Sequence, residues 1–241
     1  ECGGGTQGSG KVTIKNGNVT AKTNSLAAAI GGGNSGSGDV TILDGRVTTQ
    51  LVNKNDPVTG IGGAPNSTDK STVRILGGVV DAVGGGYGSG IGGGRGDAQG
   101  AEVEIGGGAQ VTAKGGKGGT YSSKTYGAGA AIGTNGDKDG KAGKELDVNA
   151  IGEGTVTRIN SQLPAEHKHE WTLVSSTPAA VGQLGEKVYE CSCGSTRTVY
   201  KFALPAPVEE EQNGRVVLTV EGAAYEMHQE SARYIVTADS D

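Results

Sequence analysis

The stretch VTIKNGNVTAKTNSLAAAIGGG at residues 12–33 contains the pattern that decides the fold. It runs Val-Thr-Ile, a glycine corner, Val-Thr-Ala, and then an isoleucine followed by glycines. The first element recurs at residues 40–42, 73–75, 103–105 and, more weakly, 146–148, and the second at residues 47–49, 80–82, 111–113 and 156–158. The isoleucines are Ile30, Ile61, Ile91 and Ile132, at spacings of 31, 30 and 41 residues. The chain therefore repeats a unit of about thirty residues.

Each short element alternates apolar and polar residues, and this period of two is typical of a β-strand with one buried face. A unit of this length cannot bury a core alone, but stacked copies would place valine over valine and isoleucine over isoleucine. The sequence therefore predicts an all-β fold, a parallel β-helix (solenoid) of about five rungs over residues 1–160.

Composition separates this region from the rest of the chain. Residues 1–159 hold 42 of the 47 glycines but only three of the nine aromatic residues. Glycine-rich, aromatic-poor segments are often disordered, but disorder gives no reason to keep Val-x-Ile in register over four or five copies. The repeat favours a fold, with a boundary near Asn160.

Two further regions are predicted beyond that boundary. Residues 161–206 would form a small β module that contains His and Cys, and residues 207–241 a linker and strands of a partial β domain. Residues 204–211, across the boundary between these two regions, are expected to be a stiff, solvated linker, and residues 215–220 and 233–237 are expected to be strands. Because the chain starts at a glutamate, without a signal peptide and with the repeat already under way, we expect a piece of a longer protein.

The charge distribution excludes one class of partner. Residues 1–160 carry 15 Lys and Arg against 14 Asp and Glu, and the remainder carries 6 against 12. Nucleic-acid binding needs a concentrated basic face, which neither part has, so no nucleic-acid partner is expected. No apolar run is long enough to span a bilayer, so no transmembrane segment is expected in this fragment.

The phrases Gly-x-Val-Thr-Ile, Gly-x-Val-Thr-Ala and Ala-Ala-Ile-Gly-Gly-Gly resemble the glycine-rich repeats of large surface proteins of Gram-positive bacteria, over about residues 8–157. The resemblance implies a right-handed parallel β-helix similar to pectate-lyase-like adhesive or carbohydrate-binding modules. It also implies an extracellular, cell-surface or secreted location and attachment to a polysaccharide or to a host or cell-wall glycan, often without catalysis.

One compact set of metal-binding residue types lies in the predicted β module. Its members are His167, His169, Cys191 and Cys193. Two imidazoles and two thiolates make a complete tetrahedral set for zinc, and Gly194 would let the chain turn around the sulfurs. The region resembles short modules that follow such repeats, but those have Cys-x-x-Cys where this chain has Cys-Ser-Cys. The alternative is two solvent-facing histidines beside reduced cysteines, or a cysteine bonded to Cys2 or to another molecule.

A second candidate metal site depends on how the last rungs stack. If residues 103–105 lie beside residues 146–148, four carboxylates share one outward face: Glu102, Glu104, Glu145 and Asp147. Such a patch either stays hydrated or holds calcium through oxygen ligands. Polysaccharide lyases of the β-helix class are similar in placing acidic calcium ligands and a basic residue on one face, and Arg74 would be that base here.

Three tyrosines are the predicted ligand-binding residues. Tyr87 and Tyr126 each lie shortly before the isoleucine that glycines follow, Ile91 and Ile132, in successive copies. Tyr121 lies between them, in a long insertion at residues 115–124. Exposed aromatic rings pack on the C–H faces of sugars. The alternative is that these rings cover the rung edges and fold back on the core.

The sequence thus predicts a non-catalytic, extracellular protein that binds carbohydrate by multivalent display on a rigid stack. Two alternatives stay open: a polysaccharide lyase or hydrolase-like enzyme that uses the acidic face, and a structural stalk of a surface protein. No nucleophile triad or phosphate-binding loop with its Lys-Ser/Thr ending is present. Zinc and calcium are the only cofactors that the residues suggest.

Overall fold

A computed structural model provides the coordinates. Side chains and backbone are described at residues 8–23, 26–94, 100–159 and 168–203, and backbone alone at residues 2–3, 208–212, 215–220, 223–230 and 233–238. All regular structure in these ranges is β. Within the same ranges, no helix has the length and apolar character of a membrane span.

The described residues of the glycine-rich region contain seventeen strands. The first ten are β1 (Cys2–Gly3), β2 (Gly10–Ile14), β3 (Asn18–Thr23), β4 (Ala28–Gly31), β5 (Gly38–Ile42), β6 (Arg46–Leu51), β7 (Thr59–Gly62), β8 (Ser71–Ile75), β9 (Val79–Val83) and β10 (Ile91–Gly92). The next seven are β11 (Ala101–Gly106), β12 (Ala109–Lys114), β13 (Gly119–Tyr121), β14 (Lys124–Tyr126), β15 (Ile132–Gly133), β16 (Asn149–Ile151) and β17 (Gly154–Ile159).

These strands, apart from the β13–β14 hairpin, form three parallel sheets. The sheet orders are β2-β5-β8-β11-β16, β3-β6-β9-β12-β17 and β1-β4-β7-β10-β15. The chain visits one strand of each sheet in turn, so the predicted β-solenoid is confirmed. Three consecutive turns repeat regularly, namely β2–β4, β5–β7 and β8–β10.

Like side chains stack in register in all three sheets. Val40 pairs with Val73, Val47 with Val80, and Ile61 with Ile91. The four isoleucines of the third sheet are completely buried: Ile30, Ile61, Ile91 and Ile132. Burying an isoleucine side chain contributes roughly 1.5–3 kcal/mol, so these ladders are the main source of stability that the repeat offers.

The glycine after each stacked isoleucine is required by geometry. Gly31, Gly62, Gly92 and Gly133 have φ values of 132°, 124°, 118° and 154°. A Cβ on Gly31, Gly62 or Gly92 would strike the carbonyl oxygen of the next glycine in the ladder. Positive φ and close backbone approach both favour glycine, which explains why the sequence keeps it there.

The last copy does not stack as the sequence predicts. Residues 103–105 were expected beside residues 146–148, but β11 pairs with β16, and Glu104 faces Asn149. The cause is that the residues before β16 contact β15 of the third sheet instead: Leu146 N donates to Ile132 O at 2.9 Å, and Glu145 forms an isolated antiparallel bridge with Gly133. The register of the first sheet is therefore shifted by two residues from the prediction.

The predicted β module continues a solenoid sheet. Its strands are β18 (Thr172–Thr177), β19 (Gly185–Glu190) and β20 (Thr196–Lys201), in antiparallel order. β20 also pairs antiparallel with β17, so one sheet runs from β3 through β17 to β18. The domain boundaries near residues 160 and 206 stay a prediction.

The C-terminal region forms a four-stranded antiparallel sheet. Its strands are β21 (Val208–Gln212), β22 (Arg215–Val220), β23 (Ala223–Glu230) and β24 (Arg233–Ala238). β22 and β24 cover the two predicted strands, whereas β23 was not predicted. Residues 208–211 were expected to be a linker, which is wrong because their backbone pairs with β22.

Candidate functional site

The three predicted tyrosines lie together at one loop edge of the solenoid. The rings of Tyr87 and Tyr126 stack with their centroids 4.0 Å apart and 11° between their planes. The Tyr121 ring meets Tyr87 edge-on, at a centroid distance of 6.3 Å and 69°. The structure therefore brings together residues that are up to 39 positions apart in the sequence.

The three rings differ in their access to solvent. Tyr87 is 5% exposed, whereas Tyr121 is 36% exposed. Burial, and then the neighbouring Tyr126 and Tyr121, raise the pKa of the Tyr87 hydroxyl well above its ordinary value. Tyr87 is therefore buried, as expected in the alternative in which the rings fold back on the core. Tyr121 and the half-buried Tyr126 form the surface that a ligand can reach.

The hairpin β13–β14 carries Tyr121 and Tyr126. Its turn is formed by Ser122 and Ser123, which have φ values of 48° and 63°. All residues of the hairpin from Gly119 to Thr125 are exposed. The insertion therefore presents an aromatic ring, hydroxyl groups and the Lys124 ammonium to solvent.

Loops of three successive turns stack beside these tyrosines. Gly86 N donates to Lys54 O at 2.8 Å, and Gly118 N donates to Gly86 O at 2.9 Å. Since Tyr87 follows Gly86 and Lys117 precedes Gly118, this backbone ladder places Lys54 and Lys117 on the turns before and after that of Tyr87. Lys54 and Lys117 are exposed and Lys114 is half-buried.

The three lysines at this edge influence one another electrostatically. Burial, and then the charges of Lys117 and Lys54, lower the pKa of the Lys114 ammonium. Among the described residues, none of these three lysines has a salt-bridge partner. Asp56 is in the same loop as Lys54, and its carboxylate accepts a hydrogen bond from Asn53 at 3.2 Å.

Sequence reasoning missed the lysines. Lys54 and Lys117 lie in loops of unequal length after β6 and β12, and Lys114 is the last residue of β12, so no fixed spacing relates them. A signal was present, because Lys54, Lys114 and Lys117 all follow the second element of their copy.

The four carboxylates predicted to share a calcium site do not lie together. Glu102 pairs with Lys70 at 3.1 Å, and Glu104 with Arg74 at 2.7 Å. Glu145 lies at the third sheet instead, because its carboxylate accepts hydrogen bonds from the Ala131 and Ile132 amides.

Arg158 pairs with Glu145 and lines the same crevice as Asp147. Its Nη1 lies 3.2 Å from Glu145 Oε2, and its other terminal nitrogen donates to Leu146 O at 2.6 Å. Asp147 and Arg158 line a crevice of about 410 Å³ beneath Tyr200 of β20. The shift in the last copy thus replaces a four-carboxylate patch with separate ion pairs.

Three of the four predicted zinc ligands converge. His169 precedes β18, and Cys191 and Cys193 lie in the turn between β19 and β20. One nitrogen of His169 and the two sulfurs lie within 4.8 Å of one another. This is the only such cluster of His, Cys, Asp and Glu ligands in the described part of the chain. His167 lies outside the described residues.

The surroundings of this cluster are ordered by short contacts. The Cys193 thiol donates to Ser195 Oγ at 3.1 Å, and the imidazole of His169 stacks on Trp171 at a centroid distance of 4.8 Å. Cys191 and Ser195 are 3% and 2% exposed. The cluster is therefore a partly buried group of side chains that neighbouring residues hold in place.

Comparisons with protein-family models, curated proteins and solved structures found no match.

Proposed function

We propose that this chain is a non-catalytic part of an extracellular surface protein, and that it binds carbohydrate at the loop edge formed by Tyr87, Tyr121 and Tyr126. The observation that carries the proposal is the three-ring cluster with Tyr121 exposed at its rim. The flat face of an aromatic ring packs against the C–H groups of a sugar ring, and the hydroxyl groups of the hairpin can form hydrogen bonds with sugar hydroxyls.

The lysines indicate which class of carbohydrate fits. Lys54 and Lys117 lie on the turns before and after that of Tyr87, Lys114 ends β12, and none of the three has a salt-bridge partner among the described residues. The charges of Lys117 and Lys54 lower the pKa of Lys114, and a nearby anion would relieve this repulsion. A carboxylate-bearing or sulfated polysaccharide supplies such an anion next to each sugar ring. The proposed ligand is therefore an acidic polysaccharide.

The solenoid suits such a ligand because it is rigid and repetitive. A rigid surface loses little conformational entropy on binding, and several weak contacts along one polymer add through effective concentration. The right-handed coil of five rungs, the cell-surface location and the relation to Gram-positive surface repeats belong to this proposal.

No specific observation favours the enzyme alternative. Arg74, the expected base, is engaged by Glu104, and the expected acidic patch is divided between two faces. The stalk alternative differs from the proposal in one respect only, because a stalk would bind no glycan.

A glycan array probed with the full chain tests the proposal. We expect binding to acidic polysaccharides, a loss of at least about ten-fold in Tyr121→Ala, and about five-fold in Lys117→Gln. Lys15→Gln is the matched control, since Lys15 is an exposed lysine at another corner of the solenoid. An array without any bound glycan would favour the stalk, and undiminished binding by Tyr121→Ala would move the site elsewhere.

A further inference from the structure

The cluster of His169, Cys191 and Cys193 is positioned by the register of the β module. β18 and β19 pair antiparallel with Thr172 opposite Glu190. Continuing this register by three residues brings His169 opposite Cys193. The Cys193 Sγ to His169 Nδ1 distance of 3.5 Å agrees with that placement.

A tight turn brings the two sulfurs to the same point. Gly194 N donates to Cys191 O at 2.8 Å, and Cys191 N donates to Ser195 O at 2.9 Å. Gly194 has a φ of 78°, which a residue with a side chain rarely adopts. In an extended Cys-Ser-Cys segment, the two sulfurs would lie too far apart to share one ion. The turn brings the side chains of Cys191 and Cys193 together.

The distances fit a tetrahedral ion. Zn–S bonds of about 2.3 Å and Zn–N bonds of about 2.0 Å place sulfur and nitrogen ligands about 3.5 Å apart and two sulfurs about 3.8 Å apart. The observed sulfur to nitrogen distance is 3.5 Å, and all three atoms lie within 4.8 Å. An ion at their centre needs movements of about 1 Å or less. Thiolate with imidazole ligands in this geometry select zinc among the common divalent cations.

The β module has almost no apolar core of its own. Within residues 168–203 the buried residues are Gly185, Cys191 and Ser195, and all six residues of β18 are exposed. A three-stranded extension of the solenoid sheet with so little buried apolar surface needs a source of stability besides its pairing with β17, and small domains commonly obtain it from a structural metal. The two buried side chains, Cys191 and Ser195, lie in the turn that holds the cluster.

The module also has a place in the larger fold. β20 pairs with β17, the last strand of the second solenoid sheet, and Tyr200 packs against the solenoid core. An uncovered end strand would expose a row of backbone donors and acceptors, and solenoids need a cap at such an end. Whatever stabilises the module therefore protects the end of the stack.

We propose that His169, Cys191 and Cys193 bind a structural zinc ion that holds the β module in place as the cap on β17. Both thiols lose their protons to solvent when the ion binds, so affinity falls as the pH is lowered. The proposal is independent of carbohydrate binding.

Metal analysis of the full chain, expressed with zinc and purified without chelators, tests the site. We expect about one zinc per chain, and at least a five-fold loss of bound zinc in Cys193→Ser and in His169→Ala. Ser192→Ala is the matched control, since Ser192 is exposed between the two cysteines and should leave the zinc content unchanged.

A second measurement covers the case in which a variant does not fold. Metal-free wild-type chain titrated with cobalt(II) should develop thiolate-to-cobalt absorption that saturates at about one equivalent and is reversed by zinc. Wild-type chain that holds no zinc and gives no such absorption would overturn the proposal. So would full zinc content in Cys193→Ser, or a Cys191–Cys193 disulfide found by mass spectrometry in the freshly purified chain.

Discussion

Ile61 lies directly beside Ile91 in the third sheet, with their Cα atoms paired in register and both side chains completely buried. Ile30 and Ile132 continue the same ladder on either side. This ladder is thus a column to which each repeat contributes one isoleucine, and a gap in one repeat removes contacts from both neighbours.

Truncation of Ile61 should therefore be costly. We expect Ile61→Ala to lower the free energy of unfolding by about 2–5 kcal/mol, since the cavity has rigid backbone around it, and Ile61→Val by about 0.5–1.5 kcal/mol. Ile151→Ala, at a side chain 47% exposed, should cost under about 1 kcal/mol. Chemical denaturation of the three variants gives the comparison. Equal losses for Ile61→Ala and Ile151→Ala would show that the ladder is not the core.

Two glycines with positive φ separate backbone strain from steric overlap. Gly62 has a φ of 124°, and an added Cβ would meet the Gly92 carbonyl, whereas Gly17 has a φ of 107° with open space around its Cβ position. Gly17→Ala should cost only the strain of the backbone, about 1 kcal/mol. Gly62→Ala should cost at least about 2 kcal/mol more, because the neighbouring strand has to move. Thermal unfolding of both variants measures the difference, which should vanish if the strands are not in close contact there.

The buried hydroxyl of Tyr87 predicts a loss of stability at high pH. Its pKa is raised in the folded chain, mainly by burial, above the ordinary value of 10.0 that applies after unfolding. Above pH 10 the unfolded chain therefore binds fewer protons at this position, and the free energy of unfolding falls as pH rises, by up to about 1.4 kcal/mol per pH unit.

Tyr87→Phe should make that decline less steep, because it removes the hydroxyl whose pKa the fold raises. Tyr200, whose pKa burial also raises, accounts for part of the slope that remains. The readout is the unfolding free energy between pH 9 and pH 12. A slope unchanged by Tyr87→Phe would mean that the hydroxyl is not buried in solution.

The regular part of the fold could be predicted from sequence because it depends on the pattern within each short element and on the spacing between copies. Alternation in each short element identifies strands, and the shared spacing aligns Val40 with Val73 and Ile61 with Ile91 without knowledge of the loops. The irregular part could not. Whether residues 144–146 join the first or the third sheet depends on contacts such as Glu145 with the Ala131 and Ile132 amides, and these are set by packing over distance.

The candidate sites divide along the same line. The three tyrosines were identified because they recur near one element of the repeat, while Lys54 and Lys117 belong to loops whose lengths differ. His169, Cys191 and Cys193 were identified by residue type, and their convergence depends on the hairpin register and on the turn at Gly194. The role of His167 stays a prediction.

The central claim is that the tyrosine and lysine edge of the solenoid binds an acidic polysaccharide. The most direct measurement is a calorimetric titration of the full chain with a polyuronate and with the same polymer after its carboxyl groups are reduced to neutral alcohols. We predict binding of the polyuronate, weakened by salt and by Lys117→Gln, and an affinity at least about ten-fold lower for the neutral polymer. Equal affinity for the two polymers, or heat from neither, would contradict the account.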